Sequence, residues 1–301
     1  MNTSTPSHFC RQCPRECNAD REGGTLGFCG APAGLSVARI SLHAWEEPCI
    51  SGTRGSGTVF FCGCNLRCAF CQNREISRSG AGKILSKDQL IEEMLRLCDK
   101  GAHNINLVTP TPYAEALSEV LAAAKPRLGI PVVYNCGGYE SVDTLKKLDG
   151  LVDIYLPDVK YFSAERALRY SGAKDYFPVA MAALAEMLRQ TGTYRIGNDG
   201  LLTHGVLVRH LVLPGGRKDS IALLGELSRR FGSNAFLLSL MSQYTPDFAL
   251  DSPCTELHRR ITTFEYDTVL REAERLEFEG YFQSRDSATD AYTPNFSEPT
   301  V

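Results

Sequence analysis

The stretch Thr58-Val-Phe-Phe-Cys-Gly-Cys64-Asn-Leu-Arg-Cys68-Ala-Phe-Cys71 runs from a β-branched and aromatic tetrad straight into three cysteines spaced C-x3-C-x2-C. The tetrad predicts a buried strand, and the cysteines then sit on the loop at its C-terminal end. Three thiolates are one short of what a closed [4Fe-4S] cluster requires, because each of its four irons takes its own ligand. One iron is left open, and an open iron can chelate a small molecule through an amine and a carboxylate. Closely spaced cysteines also build zinc knuckles, and twelve cysteines in 301 residues give such spacing more chances to arise.

Working outward from this loop, strand and helix patterns alternate. Ser86-Lys-Asp-Gln89 reads as a capping box, followed by Leu90, Ile91, Met94, Leu95 and Cys98 at helical spacing. Strands are expected at 104–108, 130–134, 152–156, 206–213 and 235–241. The intervening helices are expected at about 142–148, 177–189 and 220–230, with a further one opened by Thr111 as N-cap and Pro112 at its first position. Thr262-Thr-Phe-Glu265 opens a last helix, and Asn198-Asp-Gly200 marks a turn. Six strand–helix units predict an α/β fold with parallel strands in an open (β/α)6 arrangement, short of the eight that close a full barrel. Sites in such folds gather at the C-terminal strand ends, where the cysteine loop falls.

Residues 1–50 read as a segment of their own, a short cysteine-rich N-terminal extension. Cys10, Cys13, Cys17 and Cys29 follow C-x2-C-x3-C-x11-C, with too few apolar residues between them for a core. A metal knot is the expected substitute for hydrophobic burial, and either zinc or a second [4Fe-4S] cluster fits four thiolates. Residues 51–282 form the α/β core and 283–301 a polar C-terminal tail. Cys49, Cys98, Cys136 and Cys254 read as ordinary buried thiols.

Net charge is −3 and the sequence pI about 6.1, so no basic field for nucleic acid is visible. The opening residues lack a basic-plus-apolar leader, and the longest apolar strings are too short for a bilayer. The expectation is a cytoplasmic protein without membrane partners, whose cysteines serve metal or redox chemistry rather than disulfides.

The cysteine loop resembles the signature of the radical SAM superfamily, in which the open iron binds S-adenosylmethionine and the aromatic residue before the third cysteine, here Phe70, lies near the adenine. The longer stretch from Ser51 to Asn73 looks like the activating enzymes of pyruvate formate-lyase. The likeness over most of the chain is to the PflX-type proteins related to those enzymes. The resemblance implies a partial barrel of the radical SAM type and carries over several site residues. Asp158 and Lys160, in Leu156-Pro-Asp-Val-Lys160, resemble an Asp-x-Lys element whose lysine lies by the carboxylate of S-adenosylmethionine. Arg209 matches a strand that points an arginine toward the cofactor, and a salt bridge to Asp158 would equally explain it. Thr109 stands nearest to where the family's Gly-Gly-Glu would be, and that motif is absent. Asn135, before Gly137 and Gly138, is a further candidate contact. Gln243 and Tyr244 are candidates for the substrate side. Ser163 replaces a further aspartate of the activases, and His210 alternates to the opposite face as a structural residue.

The implied reaction is reductive cleavage of S-adenosylmethionine to a 5′-deoxyadenosyl radical, which takes hydrogen from an inert C–H bond. The protein residues bind, orient and exclude water, with no catalytic side chain expected beyond cluster and cofactor. Electrons would come from a flavodoxin, a ferredoxin, or the Cys10–Cys29 site if it holds iron and sulfur. The radical's target is a glycine of a glycyl radical enzyme, or a small molecule or peptide. A non-catalytic iron–sulfur or zinc protein is the competing class.

Overall fold

The computed structural model describes residues 9–78, 82–283 and Phe296, so residues 1–8 of the N-terminal segment and nearly all of the 283–301 tail lie outside the described residues. In chain order the elements are β1 (Leu35–His43), α1 (Pro48–Ser51), β2 (Ser56–Phe61), α2 (Arg74–Ser77), β3 (Lys83–Leu85), α3 (Lys87–Asp99), β4 (Ile105–Val108) and α4 (Ala114–Leu128). They continue with β5 (Val132–Cys136), α5 (Val142–Lys146), β6 (Ile154–Pro157), α6 (Ala164–Ser171), α7 (Tyr176–Thr191), β7 (Arg195–Ile196) and β8 (Leu202–Leu211). The chain closes with α8 (Arg217–Phe231), β9 (Leu237–Met241), α9 (Thr263–Arg275) and β10 (Gly280–Phe282).

One mixed sheet runs β10-β9-β8-β6-β5-β4-β2-β1-β3, with β7 beside β8. The six expected strands are present as β2, β4, β5, β6, β8 and β9 and pair in parallel, and β10 extends them by one. This is the open α/β partial barrel that the alternating pattern predicts. The capping boxes at Ser86 and Thr262 form as expected. Thr111 does not cap a helix. Residues Thr111–Tyr113 make a 3-10 turn, and the Thr111 hydroxyl instead donates to buried Glu140 at 2.7 Å.

The antiparallel edge made by β1 and β3 was not foreseen. A register shift between Val37 and Arg39 breaks the two-residue alternation of β1, which hides it from pattern reading. From Leu35 onward the N-terminal segment is therefore part of the sheet rather than apart from it.

Side chains alternate between two layers. One strand face packs under α3, α4, α7, α8 and α9, where Leu90, Met94, Leu121, Leu184, Leu224 and Val269 are buried. The other face lines the barrel interior. Its lowest layer is apolar, with Val133, Ile154, Leu156, Leu207 and Leu237 closed off by Cys49 and Ile50 of α1. Among the described residues no helix is long and apolar enough to cross a membrane.

Candidate active site

Every residue of β2 is buried, which fixes the strand that delivers the cysteine loop. Gly63 follows with φ +82°, and a Cβ there would lie 2.7 Å from the Cys29 carbonyl, so only glycine permits the approach. Cys68 is buried, and Cys64 and Cys71 are partly so. Each sulfur has a polar neighbour. Leu66 N–H donates to Cys64 Sγ at 3.4 Å, Ser171 Oγ to Cys68 Sγ at 3.0 Å, and Ser77 Oγ lies 3.5 Å from Cys71 Sγ. Burial pushes the Cys64 and Cys71 thiols up, with Cys68 adding to it, while Lys160 acts in the opposite sense. These thiols need a strong positive centre to ionise, and a metal cluster supplies one. Among the described residues no three His, Cys, Asp or Glu side chains converge as around one metal ion, so the fit rests on donor chemistry.

Two layers of the opposite wall carry charge. Asp158 receives Lys160 Nζ at 2.6 Å and Arg209 Nε at 2.9 Å. Burial alone would raise the Asp158 carboxyl, but Arg209 and Lys160 outweigh it and hold it below the usual carboxylate range. The same carboxylate holds Lys160 charged, against burial. Arg209 also donates to Asn135 Oδ1 at 2.7 Å and Glu46 Oε2 at 3.1 Å. Glu46 Oε1 accepts in turn from Asn106 and Asn135. The turn bearing Asp158 is fixed by Tyr176, whose hydroxyl lies 2.8 Å from the carbonyls of Gly137 and Asp158 and accepts Lys160 N–H at 3.1 Å. Gly138 lies so close to the Asp158 carbonyl that a Cβ would sit 2.1 Å from it.

Cys68 and Cys71, with Asp158, Lys160 and Arg209, line one cavity of about 460 Å³. Phe70, Asn135, Gln243 and Tyr244 line it as well, and Phe70 meets Tyr244 edge-on at 6.1 Å. Thr109 is not among the lining residues. It adopts φ +58°, a strained conformation for a β-branched residue, just past β4, and its N–H donates to the Asn135 carbonyl at 2.9 Å. His210 is buried on the other face between the Val159 carbonyl and Ser220, as alternation predicts. Ser163, where the activases carry aspartate, caps α6 by accepting Arg166 N–H.

Sequence reading missed Trp45, Glu46, Glu47, Asn106 and Ser239. The first three arrive from the link between β1 and α1, which enters the barrel from beneath. The adjacent glutamates beside the single tryptophan of the chain were the available signal.

The N-terminal cysteines are carried by tight turns. Cys10 exchanges backbone bonds with Asn18 and Ala19, and Glu16 N–H closes on the Cys13 carbonyl. Cys13 and Cys29 are buried, Cys10 is partly buried and Cys17 exposed. Burial pushes the Cys13 thiol up to about 12, with Cys29, Glu140 and Cys10 adding to it, and among the described residues these sulfurs do not converge as around one metal ion. The segment is docked on the first cysteine loop. Cys64 N–H donates to the Cys29 carbonyl at 3.2 Å, Arg15 to the Asn65 carbonyl at 2.9 Å, and Arg15 and Arg67 stack on Phe28 at 4.0 and 4.3 Å.

Residues 58–215, just over half of the chain, match the family described as Radical SAM superfamily. The uncharacterized protein MJ0674 of Methanocaldococcus jannaschii is 29% identical over 279 residues, covering 90% of this chain and 75% of that protein. Among solved structures, SuiB of Streptococcus suis bound to the precursor peptide SuiA is similar with a TM-score of 0.48 and 14% identity, covering 73% of this chain and 46% of SuiB. TsrM of Kitasatospora setae, a radical S-adenosylmethionine methyltransferase solved with cobalamin and a [4Fe-4S] cluster, is similar with a TM-score of 0.43 and 12% identity, covering 59% of this chain and 32% of TsrM. The chain thus spans less than half the length of either solved protein.

Proposed function

The chain belongs to the radical SAM superfamily, and we propose that it cleaves S-adenosylmethionine at a cluster on Cys64, Cys68 and Cys71 to take hydrogen from a substrate in the adjoining cavity. The observation that carries this reading is the continuity of one cavity from Cys68 and Cys71 to the Asp158, Lys160 and Arg209 set. A cluster held by Cys64, Cys68 and Cys71 would supply the single electron for reductive cleavage of the S–C5′ bond of S-adenosylmethionine.

The remaining work falls to the side chains. Lys160, held charged by Asp158, is suited to a carboxylate such as that of the methionyl end. Asn135 and Arg209 are tied to each other, and Arg209 also to Asp158 and Glu46, so the polar wall is held as one bonded set. Phe70, buried beside Tyr244, offers an apolar face for a base. Thr109 lies outside the cavity lining, and its strained backbone instead donates to the Asn135 carbonyl and ties the ends of the two strands together.

The target reading that the geometry favours is a small molecule or short peptide segment. The Ser163 cap of α6 replaces an activase aspartate, which counts against the same glycyl radical partner. The Asp158-x-Lys160 match keeps a partner glycine as the second reading. The Cys29–Cys64 backbone bond supports a second metal centre beside the first, iron–sulfur or zinc. A flavodoxin or ferredoxin is the proposed electron source.

Anaerobic reconstitution, reduction with dithionite and assay of 5′-deoxyadenosine test the reading. Product is expected from the wild type and none from the joint Cys64→Ala, Cys68→Ala, Cys71→Ala variant. Equal traces from both, or none from either with a cluster in place, would leave the non-catalytic iron–sulfur class.

A further inference from the structure

The cavity contains more carboxylates than its own cations answer. Glu46, Glu47 and Asp158 line it against Lys160 and Arg209. Two of the three carboxylates are bonded, Asp158 by Lys160 and Arg209 and Glu46 by Arg209. Glu47 differs. Its Oε2 and the hydroxyl of Ser239 on β9 are both buried without a well-formed hydrogen bond, although that hydroxyl lies near enough to the Glu47 carboxyl to favour its charged form.

No local role accounts for this. Glu47 occupies the N-cap of α1, yet its side chain makes no capping bond. Burial pushes its carboxyl up and Glu46 adds to that, while Arg209 and the Ser239 hydroxyl offset it only in part. A buried carboxylate left without a well-formed hydrogen bond is among the costly features of a fold, and such groups mark places where a ligand completes the structure. The depth of the group matters as well. Ser239 is in register with Arg209 and Tyr281, one layer above the apolar residues Leu207 and Leu237, whereas the cysteine loop follows the C-terminal end of β2. Trp45, two residues before Glu47, lines the same cavity and is 58% exposed, so its aromatic surface lies on the solvent side of it. A carboxylate and a hydroxyl at depth, with an aromatic residue on the solvent side of the same cavity, suit an organic ammonium.

We propose that Glu47, with Ser239 and Trp45, forms the subsite that holds the protonated amine of the substrate, so that the C–H bonds presented to the radical belong to an alkylamine or an amine-bearing side chain. This rests on the radical SAM reading of the same cavity and adds the class of substrate to it. Holding the amine at depth would orient the adjoining carbons toward the cysteine-loop end of the cavity.

The single tryptophan makes the test direct. Reconstituted protein is titrated with n-butylammonium, n-butanol and butyrate, and with a blocked tripeptide whose central residue is lysine, following Trp45 fluorescence. Saturable binding of the ammonium probes but not of the alcohol or the carboxylate is expected. Tighter binding of the tripeptide would identify a peptide as the source of the amine, and tighter binding of butylammonium a small molecule.

Glu47→Gln should weaken ammonium binding about tenfold or more, the size of a charge-assisted hydrogen bond, and Glu47→Asp should lose less. S-adenosylmethionine is titrated in parallel. An equal loss of both affinities would assign Glu47 to the cofactor and overturn the proposal, as would equal binding of all three head groups or binding of none by the wild type. Wild-type 5′-deoxyadenosine formation is scored separately, so failure of the subsite is distinguishable from failure of the radical SAM reading.

Discussion

The two cysteine sets touch, yet they are built in opposite ways. Cys64, Cys68 and Cys71 hang from a fully buried strand, each sulfur has a polar neighbour, and Lys160 acts on them from the facing wall. Cys10, Cys13, Cys17 and Cys29 lie on turns in a polar stretch that is held to the body by Arg15, Arg67 and a few backbone bonds. The first set is positioned by the fold and free to do chemistry. On the proposed reading, a metal on the second set would help to hold its own polar segment in place.

The largest effect that would sharpen this contrast separates activity from order. Cys68→Ala should cut 5′-deoxyadenosine formation by about a hundredfold or more while leaving the sheet intact by circular dichroism. Cys13→Ala should do the reverse with dithionite as donor. Activity should survive in good part, but trypsin should cut after Arg15 or Arg21 about tenfold faster as the segment loosens. Loss of all activity in the second variant with no change in proteolysis would break the contrast.

Next in size is the charged wall. Arg209→Met leaves Asp158 with Lys160 alone and Glu46 with only the amides of Asn106 and Asn135, and should destabilise the fold by roughly 3 kcal/mol in urea denaturation. A smaller loss would mean that the wall is wetter than its burial implies.

Glu140 gives a pH signature. Burial raises its carboxyl from 4.5 to about 7, against the hydrogen bonds from Thr111 and Tyr134. The unfolded chain gives up this proton first as pH rises, so the contribution is fully present below about 4.5 and is lost through about 7. The loss should reach about 3 kcal/mol at most, and Glu140→Gln should flatten that part of the stability–pH curve. An unchanged slope would show that other groups set it.

The smallest effect is at Thr109. Replacing it with glycine relieves the positive φ and should raise stability by about 0.5 kcal/mol, net of the added backbone entropy. The same change should leave S-adenosylmethionine binding unaltered, because Thr109 does not line the cavity.

What the sequence made legible follows from which features are local. The run Thr58–Phe61, the capping boxes at Ser86 and Thr262 and the alternation through Asp158 and Arg209 are set by neighbours in the chain, and each appears as read. Strand β1 was hidden because its bulge shifts the alternation, and β3 and β10 because three residues carry no period. Thr111 and Pro112 fit a helix start by local rule, but the partner that decided the matter was Glu140, 29 residues away. Glu46 and Glu47 were missed for the same reason. Their meaning comes from Arg209 and Ser239, which lie on distant strands. Pattern reading thus found the site's rim, where strands end in loops, and missed its floor, where a link between strands closes the barrel.

The most direct test of the central claim is the low-temperature EPR spectrum of the dithionite-reduced protein with and without S-adenosylmethionine. A reduced [4Fe-4S] signal that depends on Cys64, Cys68 and Cys71 and changes shape when S-adenosylmethionine is added is the predicted result, because the cofactor binds the open iron. A signal from those cysteines that S-adenosylmethionine leaves unaltered would contradict it.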